Sequence, residues 1–390
     1  MGAIEVRPVQ FPRDARAFVD VWWTVYEGDP CWVPPLISDQ VAFLDPRKTP
    51  YFQAATVQPF VAHRDGRAVG TIVATVDHWM RDHEPGVGLF GFFEFVDDPE
   101  VARGLYDAAA AWLRDQGMTV ARGPFNFNVN HEFGLLVDRF DDIPCVGNPH
   151  GAWWYPKTYE RALGLQKARD WYAYWFGFGP VPDRMKAISD RFLARNPNVT
   201  LRPMDRRNFW RDCELFWELY NDAWSENWGH VYMQREEFLY KAKQLKPVLD
   251  DKLAYFAYID GKVAGASITL PDYNQVAVHM NGRIFPFGWT HLLRARQTIN
   301  RLRVLVLGIK QEYQHLPLGA PLYVATWQEA LRRGTIRGVE ASLILEDNHR
   351  MRGALEKLGG KVHKTYRTYE GSLTPGETAA APPAADEPAS

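Results

Sequence analysis

Residues 304–323 read VLVLGIKQEYQHLPLGAPLY and join a short apolar run to a loop and the start of a helix. Residues 304–307 are all apolar and suit a central β-strand. Gly319, Ala320 and Pro321 suit a helix N-terminus with proline in the first turn. Because the amides at such a terminus point outward and attract anions, the stretch predicts a strand, an anion-binding turn and a helix.

The turn at residues 314–319, QHLPLG, resembles the pyrophosphate loop Q/R-x-x-G-x-G/A of the GCN5-related N-acetyltransferase (GNAT) superfamily. Pro317 stands in the place of the first glycine and has no amide hydrogen to donate to a phosphate oxygen, whereas Gly319 keeps the second place. The resemblance implies that an acyl-CoA binds here as co-substrate, with acetyl-CoA as the expected donor. The residues expected to bind it are Leu307, Gly308, Ile309, Gln314, His315, Leu316, Leu318, Gly319, Ala320 and Asn348.

Residues 346–348, with the pattern E-x-N, are followed eleven residues later by Gly359. This spacing is similar to the superfamily signature N-x-x-x-x-x-x-Y-x-x-x-G, in which the asparagine touches the pantetheine arm. Asn348 matches that asparagine, and its alternative role is to cap a helix. Leu355 stands where the signature has tyrosine, the residue that commonly protonates the departing thiolate of CoA. A leucine cannot transfer a proton, so the usual general acid is missing.

Both halves of the sequence predict the superfamily's order of elements: strand, helix, hairpin, strand, helix, strand, helix, strand. Residues 159–174 also resemble residues 354–369, which favours duplication. We therefore predict an α/β fold of two tandem GNAT-like domains, each a mixed, mostly antiparallel sheet flanked by helices. The predicted ranges are 1–178 for a first domain without a CoA site, 183–370 for a second domain with the candidate acyl-CoA site, and 371–390 for a disordered tail rich in proline and alanine. Two domains of different origin are the alternative.

Charge, apolar segments and cysteine content restrict the binding partners and cofactors that the sequence allows. The 390 residues carry a formal net charge of −2, which gives no global attraction to nucleic acid or to an anionic membrane, so any such contact has to be local. The sequence shows no apolar leader or membrane span, and its three cysteines form neither a disulfide framework nor a zinc pattern. We expect a cytoplasmic protein that uses no metal, acts on a small-molecule amine and has neither a membrane nor a nucleic acid as a partner. The oligomeric state is not predicted.

The first half has no glycine-rich loop after its central strand. Residues 96–100, VDDPE, instead place carboxylates at the helix start, where they would repel pyrophosphate. In the following segment, residues 123–134 or GPFNFNVNHEFG, the residues Asn126, Asn128 and Asn130 alternate with apolar ones. If extended, the segment would project three amides to one side to orient a polar substrate, with His131 or Glu132 as proton acceptor. The alternative is a turn-rich loop in which the asparagines bind backbone groups.

Acyl transfer from a thioester to an amine requires a donor to the thioester carbonyl, a base for the ammonium and an acid for the thiolate. An amide near Gly308 and Ile309 is the expected carbonyl donor. Glu312, Tyr313 and Tyr323, together with His315, lie close to it in sequence and are the candidate acids and bases. The sequence does not assign these two roles among them.

An insertion before the main strand combines apolar residues with arginines. The apolar residues are Trp289, Leu292, Leu293 and Ile299, and the arginines are Arg294, Arg296, Arg301 and Arg303. Such a segment can meet an acidic partner or the adenosine phosphate of CoA. A solvated amphipathic helix face is the more common structure.

These features predict an acyl-CoA-dependent N-acyltransferase, one that transfers groups other than aminoacyl groups, acting on a small amine or an amino-acid-like substrate. Pro317 and Leu355 support an alternative, a noncatalytic ligand-binding or scaffold protein on a GNAT fold. A Fem-like aminoacyl transferase is also tandem, but it requires tRNA, which the weak overall charge disfavours.

Overall fold

The structure is a computed structural model that describes residues 2–374. Its strands are β1 Ile4–Pro8, β2 Ala55–Arg64, β3 Arg67–Asp77, β4 Val87–Phe95, β5 Val120–Gly123, β6 Leu135–Leu136, β7 Gln166–Gly177, β8 Val199–Pro203, β9 Ala254–Ile259, β10 Lys262–Pro271, β11 Arg301–Ile309, β12 Gly338–Leu345 and β13 Lys361–Ser372. Its helices are α1 Ala15–Val25, α2 Ile37–Phe43, α3 His78–His83, α4 Pro99–Asp115, α5 Tyr155–Lys157, α6 Asp183–Arg195, α7 Phe209–Ala223, α8 Arg235–Leu245, α9 Asn274–Ala277, α10 Gly288–Thr298, α11 Gly319–Arg333 and α12 His349–Lys357.

The strands of both halves form one sheet in the order β1-β2-β3-β4-β5-β13-β7-β12-β11-β10-β9-β8, with β6 paired to β13. The last strand of each half is exchanged, because β7 pairs with β12 of the second half and β13 pairs with β5 of the first. The β4–β5 and β11–β12 pairs are parallel and the other pairs are antiparallel. The predicted fold class, an α/β fold with mixed, mostly antiparallel sheets, is confirmed.

The two segments of the sequence echo, residues 159–174 and 354–369, contain most of the two exchanged strands. The predicted domain ranges 1–178 and 183–370 stay a prediction, and the topology adds that each half is completed by a strand of the other. Strand β13 runs to Ser372 and Leu373 is buried, so the first residues of the predicted tail belong to the fold. Residues 375–390 of that tail lie outside the described residues.

The two parallel pairs meet only near their N-terminal ends. Pairing of β4 with β5 stops at Leu89 and Arg122, and pairing of β11 with β12 stops at Val304 and Ala341. An irregularity also interrupts β3–β4 and β10–β11, at equivalent places in the two halves. A bulge bends a strand and leaves backbone groups unpaired. Each half therefore has a cleft where its two parallel strands diverge.

Local sequence accounts for the start of α4 and the end of α11. Asp98 accepts a hydrogen bond from the amide of Glu100 at 3.0 Å, and Pro99 is the first residue of α4. Gly334 ends α11 with a φ of 69°, in the left-handed region that glycine adopts most readily. The largest hydrophobic core packs α1 and α4 against the first-half sheet through fully buried rings such as Phe18, Phe90 and Phe95, each contributing roughly 2 kcal/mol or more by burial.

Within residues 2–374, no helix is long and apolar enough to cross a membrane.

Candidate functional site

The segment 124–134 lies at the diverging end of β4 and β5. It is not extended: Phe125 pairs with Phe133, the amide of Asn126 donates to the carbonyl of Glu132 at 2.8 Å, and Phe127 has a φ of 87°. Of the two alternatives for this segment, the structure has the turn-rich loop and not the extended strand that would project Asn126, Asn128 and Asn130 to one side, because the chain reverses at Phe127. The three asparagines instead reach two separate groups of residues.

The first group is a polar pocket, here called the Glu94 pocket, whose polar lining is Glu94, Asn126, Glu132, His150, Tyr155 and Tyr159. Oε2 of Glu94 accepts hydrogen bonds from the hydroxyls of Tyr26 at 2.6 Å and Tyr155 at 2.7 Å. Burial raises the pKa of Glu94 to about 7, although both hydroxyls act to lower it. A carboxyl with this pKa can take up a proton near neutral pH.

Sequence reasoning missed Glu94. The signal was present, because Glu94 is a single carboxylate inside the apolar run 89–95, LFGFFEF. A charged residue within a central strand is uncommon unless it is paired or has a chemical role.

Asn126 joins the pocket to the bulge in β4. Its Oδ1 accepts the amide of Phe92 at 2.6 Å, and its Nδ2 donates to Oε1 of Glu132 at 3.0 Å. Phe92 itself has a φ of 46°. The side chain of Glu132 is exposed within the pocket and lies in electrostatic reach of Arg303, on the first part of β11. Asn126 therefore fixes the local backbone and orients a carboxylate at the same time.

The second group, here called the junction cluster, consists of Asp77, Asn128, His131, Glu237 and Lys241. Nδ2 of Asn128 donates to Oδ2 of Asp77 at 2.8 Å, so Oδ1 of Asn128 faces Nδ1 of His131 at 3.1 Å. This amide orientation places the imidazole proton on Nδ1 and leaves the lone pair of Nε2 facing Oε1 of Glu237, 3.4 Å away. The side chains of His131 and Glu237 are only 3% and 4% exposed.

The electrostatics of the junction cluster follow from this burial. Burial, together with the charge of Lys241, holds the pKa of His131 well below its usual value. Burial raises the pKa of Glu237 and lowers that of Lys241, and the attraction between these two groups opposes both shifts. The low exposure argues against substrate contact at His131. The cluster instead fixes the segment 124–134 of the first half to α8 of the second.

Asn130 completes this junction. Its Oδ1 accepts the hydroxyl of Tyr220 at 2.9 Å, its Nδ2 donates to the carbonyl of Val231 at 3.1 Å, and its own carbonyl accepts a hydrogen bond from Lys241. Asn128 and Asn130 therefore serve structure, as the turn-rich alternative predicts. Asn126 and Glu132 remain the predicted substrate-binding residues that line a pocket.

The second-half cleft opens beyond Val304, where β11 no longer pairs with β12. The edge of β11 from residue 305 to residue 309 therefore faces this cleft and includes the predicted carbonyl donors Gly308 and Ile309. A Cβ at position 308 would lie 2.4 Å from the indole ring of Trp224, so a larger residue there would require that ring to move. The side chains of Leu307 and Ile309 pack in a small core with Leu318.

Residues 310–320, which contain the predicted phosphate turn 314–319, use several of their amides for contacts within the protein. The amide of Gln311 donates to the carboxylate of Asp222 at 2.8 Å, and those of Tyr313, Gln314, Leu316 and Ala320 donate to carbonyl oxygens. Pro317 has no amide hydrogen. Within the turn 314–319, the amides of Gln314 and Leu316 are therefore occupied. The CoA-binding role of Gln314, His315, Leu316, Leu318, Gly319 and Ala320 stays a prediction.

The predicted catalytic residues of the second half do not form one group. Glu312 is exposed on the loop beside Tyr313, whereas Tyr323 lines an apolar cavity between α11 and the sheet. The hydroxyl of Tyr323 lies 3.9 Å from the sulfur of Met351, and burial raises its pKa to about 12. His315 is also exposed. Tyr323 is thus the one candidate of these that reaches an enclosed space.

Asn348 has the capping role given as its alternative, because its Oδ1 accepts the amide of Met351 at 3.0 Å. Leu355 is buried and lines the apolar cavity with Tyr323, Trp327, Val304 and Ala341. The cavity thus begins at Val304 and Ala341, the last pair before the second-half cleft.

Two arginines predicted with the insertion lie on β11 instead. Arg301 pairs with Asp272 at 2.8 Å, and Nε of Arg303 donates to the hydroxyl of Ser342 at 3.1 Å beside Glu340. The grouping with the insertion was wrong for these two, because β11 begins at Arg301. They are committed to buried contacts within the sheet and cannot meet an external partner. Among residues 2–374, no group of three or more His, Cys, Asp or Glu residues could hold a metal ion.

Known proteins resemble the chain over nearly its full length, although no protein-family model matches it. It is 35% identical over 377 residues to Protein YghO of Escherichia coli (strain K12), covering 94% of each chain. It is also 35% identical over 382 residues to the bacterial ceramide synthase of Caulobacter vibrioides (strain NA1000 / CB15N), covering 95% of this chain and 98% of the relative. The chain belongs to the family of these two proteins.

The chain shares a tandem GNAT fold with solved structures. It is similar to a tandem GNAT protein from the clavulanic acid biosynthesis pathway, with a TM-score of 0.56, 16% identity, and coverage of 96% of this chain and 100% of the other. It is also similar to a GCN5-related N-acetyltransferase from Sphaerobacter thermophilus, with a TM-score of 0.52, 13% identity, and coverage of 97% and 98%. The tandem GNAT fold predicted from the sequence is confirmed. Acyl transfer is the class of reaction that this fold and the name of the C. vibrioides relative support.

Proposed function

We propose that the protein forms an amide bond between the acyl group of a long-chain acyl-CoA and the amine of a sphingoid-type base. The C. vibrioides relative is named a ceramide synthase, and a ceramide is a long-chain amino alcohol whose amine carries a fatty acyl group. The structural observation that carries the proposal is Glu94, a carboxyl with a pKa of about 7 in a polar pocket.

The reaction needs a neutral amine, because an ammonium group has no lone pair for the thioester carbonyl. Glu94 in its ionised form takes the proton from the ammonium, directly or through a water molecule. The amine nitrogen then bonds to the carbonyl carbon, the bond from carbon to sulfur breaks, and the nitrogen releases its second proton to solvent. Asn126 and Glu132 lie at the same pocket and are suited to orient the polar head of the acceptor.

The leaving group removes the need for a strong general acid. A thiolate corresponds to a thiol pKa of roughly 8.5, so it can leave as the anion and take up a proton from solvent afterwards. This supports catalysis even though Leu355 replaces the superfamily's tyrosine. Tyr323, in the cavity next to the second-half cleft, is the one buried hydroxyl of the predicted set that can donate there.

The acyl donor is proposed to use the second-half cleft. The unpaired edge of β11 beyond Val304 offers backbone amides to the thioester carbonyl, and the apolar cavity lined by Ala341 and Leu355 suits part of an acyl chain. Glu132 provides a link between the two regions, since it lies in the Glu94 pocket and in electrostatic reach of Arg303 at the base of the cleft.

The test is release of free CoA thiol in a panel of donors and acceptors. Acetyl-CoA, octanoyl-CoA and palmitoyl-CoA are each combined with sphinganine, with a small primary amine and with an amino acid. The proposal predicts the highest turnover for a long-chain donor with sphinganine. Turnover confined to acetyl-CoA with a small amine would favour the substrates expected from the sequence. Binding of CoA without thiol release for any pair would favour the noncatalytic alternative, and turnover that requires aminoacyl-tRNA would favour the Fem-like one.

A further inference from the structure

The insertion between β10 and β11 exposes an unusual amount of apolar surface. The exposed fractions are 76% for Phe285, 75% for Phe287, 44% for Trp289, 39% for Leu292 and 74% for Leu293. Of the ten large hydrophobic side chains that are exposed in the described part of the chain, these five lie within nine consecutive residues. We name them the insertion surface. Single exposed apolar residues are ordinary, but a contiguous group of this kind marks an interaction site.

The insertion surface is a fixed part of the fold. Trp289, Leu292 and Leu293 follow helical spacing on α10, whereas Ala295 and Ile299 are buried in a small core with Val276 and Met280. The preceding turn is tight, because a Cβ at Gly288 would lie 2.0 Å from the carbonyl oxygen of Arg283. Trp289, Leu292 and Leu293 thus point outward on α10, whose other face is already packed.

Contacts to the first half hold the insertion in place. The carbonyl of Gly282 accepts the amide of Ile37 at 3.0 Å, and the indole of Trp23 donates to Asn281 at 2.7 Å. At its other end, Asn274 donates to the carbonyl of Pro144 at 2.9 Å. The exposure of the insertion surface is therefore set by the rigid fold on both sides of it.

The charge around the insertion surface is positive. Residues 273–311 contain no Asp or Glu, although the whole chain carries 47 acidic residues against 45 basic ones. Arg283 and Arg294 are exposed next to the apolar residues. Aromatic and leucine side chains beside arginines are the composition of helices that lie in the plane of an anionic membrane interface. A protein partner with an apolar groove would not require this absence of acidic residues.

We propose that the insertion surface docks the protein onto the surface of an anionic lipid bilayer. Phe285, Phe287 and Leu293 insert between lipid head groups, Trp289 lies at the level of the head groups, and Arg283 and Arg294 face lipid phosphates. The net charge predicted no global attraction to such a membrane, and the structure supplies a local one. The inference rests on exposure and charge and does not depend on the proposed reaction.

The test is flotation of the full-length protein with vesicles of phosphatidylcholine alone or with about a third phosphatidylglycerol. We expect binding to the anionic vesicles that weakens as salt is raised, and weak binding to the neutral ones. Phe285→Ser with Phe287→Ser, and separately Leu293→Gln, should lower the partition coefficient by about tenfold or more. Trp153→Ser is the matched control, because Trp153 is 64% exposed elsewhere on the chain, and it should leave binding unchanged.

Two further measurements keep the inference open to refutation. All variants should keep the melting temperature of the parent protein, since the substituted side chains are exposed. Light scattering over a range of protein concentrations checks the other occupant of the surface, a second copy of the chain. Equal vesicle binding by parent and variants, absence of binding at millimolar lipid, or a dimer that the Phe285 and Phe287 changes dissociate would each overturn the proposal.

Discussion

The hydroxyl of Tyr26 donates a hydrogen bond of 2.6 Å to Oε2 of Glu94. Tyr26 is the C-cap residue of α1, and Glu94 lies near the end of β4. The bond therefore joins the end of a helix to the strand beneath it. The hydroxyl stabilises the ionised carboxylate, whereas burial favours the neutral acid. Because burial has the larger effect, the group titrates at about pH 7, where a proton acceptor for an amine is most useful.

Replacing the carboxyl removes the proposed base. Glu94→Gln should lower kcat by about a hundredfold or more, with a smaller effect on KM. In the parent protein the rate should fall about tenfold per pH unit below pH 7, because Glu94 becomes protonated, and the variant should lose this limb. Initial rates of thiol release between pH 5.5 and 8.5 check both points. Glu27→Gln is the control, since the side chain of Glu27 is 77% exposed. An unchanged pH profile in Glu94→Gln would exclude Glu94 as the base.

Removing the Tyr26 hydroxyl tests the origin of that pKa. The hydrogen bond lowers the pKa of Glu94, so Tyr26→Phe should raise it and move the acid limb of the rate profile to higher pH. The maximal rate at alkaline pH should change much less than the position of the limb. A purely structural role for Tyr26 predicts a lower rate at every pH with no displacement of the limb.

The buried imidazole predicts a loss of stability in acid. The folded pKa of His131 lies well below its unfolded value of 6.5, so the unfolded chain binds the proton first as pH falls. The stabilising contribution of neutral His131 is thus complete above about pH 6.5 and is lost below it, by roughly 1 kcal/mol per pH unit. The difference in unfolding free energy between the parent and His131→Gln should therefore shrink from pH 7.5 to pH 5 in urea titrations. A difference that stays constant between pH 7.5 and pH 5 for His131→Gln would reject the assignment.

The second-half loop can be tested by ligand-induced stabilisation. A Cβ at Gly319 would lie 3.7 Å from Leu307, so the fold accommodates a side chain there, and a larger one would fill the space before the helix N-terminus. Gly319→Trp should therefore abolish the rise in melting temperature that acyl-CoA produces in the parent. Gly177→Trp, at an exposed position with open space around it, should retain that rise. An equal rise in all three proteins would place the CoA site elsewhere.

Local rules predicted much of the fold. The helix start within residues 96–100, the cap at Asn348 and the strand at residues 304–307 depend on neighbouring residues, and the structure contains all three. The echo between residues 159–174 and 354–369 identified two equivalent strands. It could not show that each of these strands pairs with strands of the other half, because strand pairing depends on residues far away in sequence.

The site was harder to predict for a related reason. The alternation of asparagines in residues 123–134 favours an extended strand, but Phe127 adopts a positive φ that its local sequence does not demand. The pKa of Glu94 depends on Tyr26 and Tyr155, residues distant in sequence that only the fold brings together. Pattern reasoning named Asn126 and Glu132, which line the Glu94 pocket, and it did not name Glu94 itself.

The most direct test of the proposed function is product analysis by mass spectrometry after incubation with palmitoyl-CoA and sphinganine. The account predicts the N-palmitoyl amide in a one-to-one ratio with released CoA in the parent protein, and a strongly reduced yield at pH 7 in Glu94→Gln. Release of palmitic acid without the amide, or no product at all from palmitoyl-CoA and sphinganine, would contradict it.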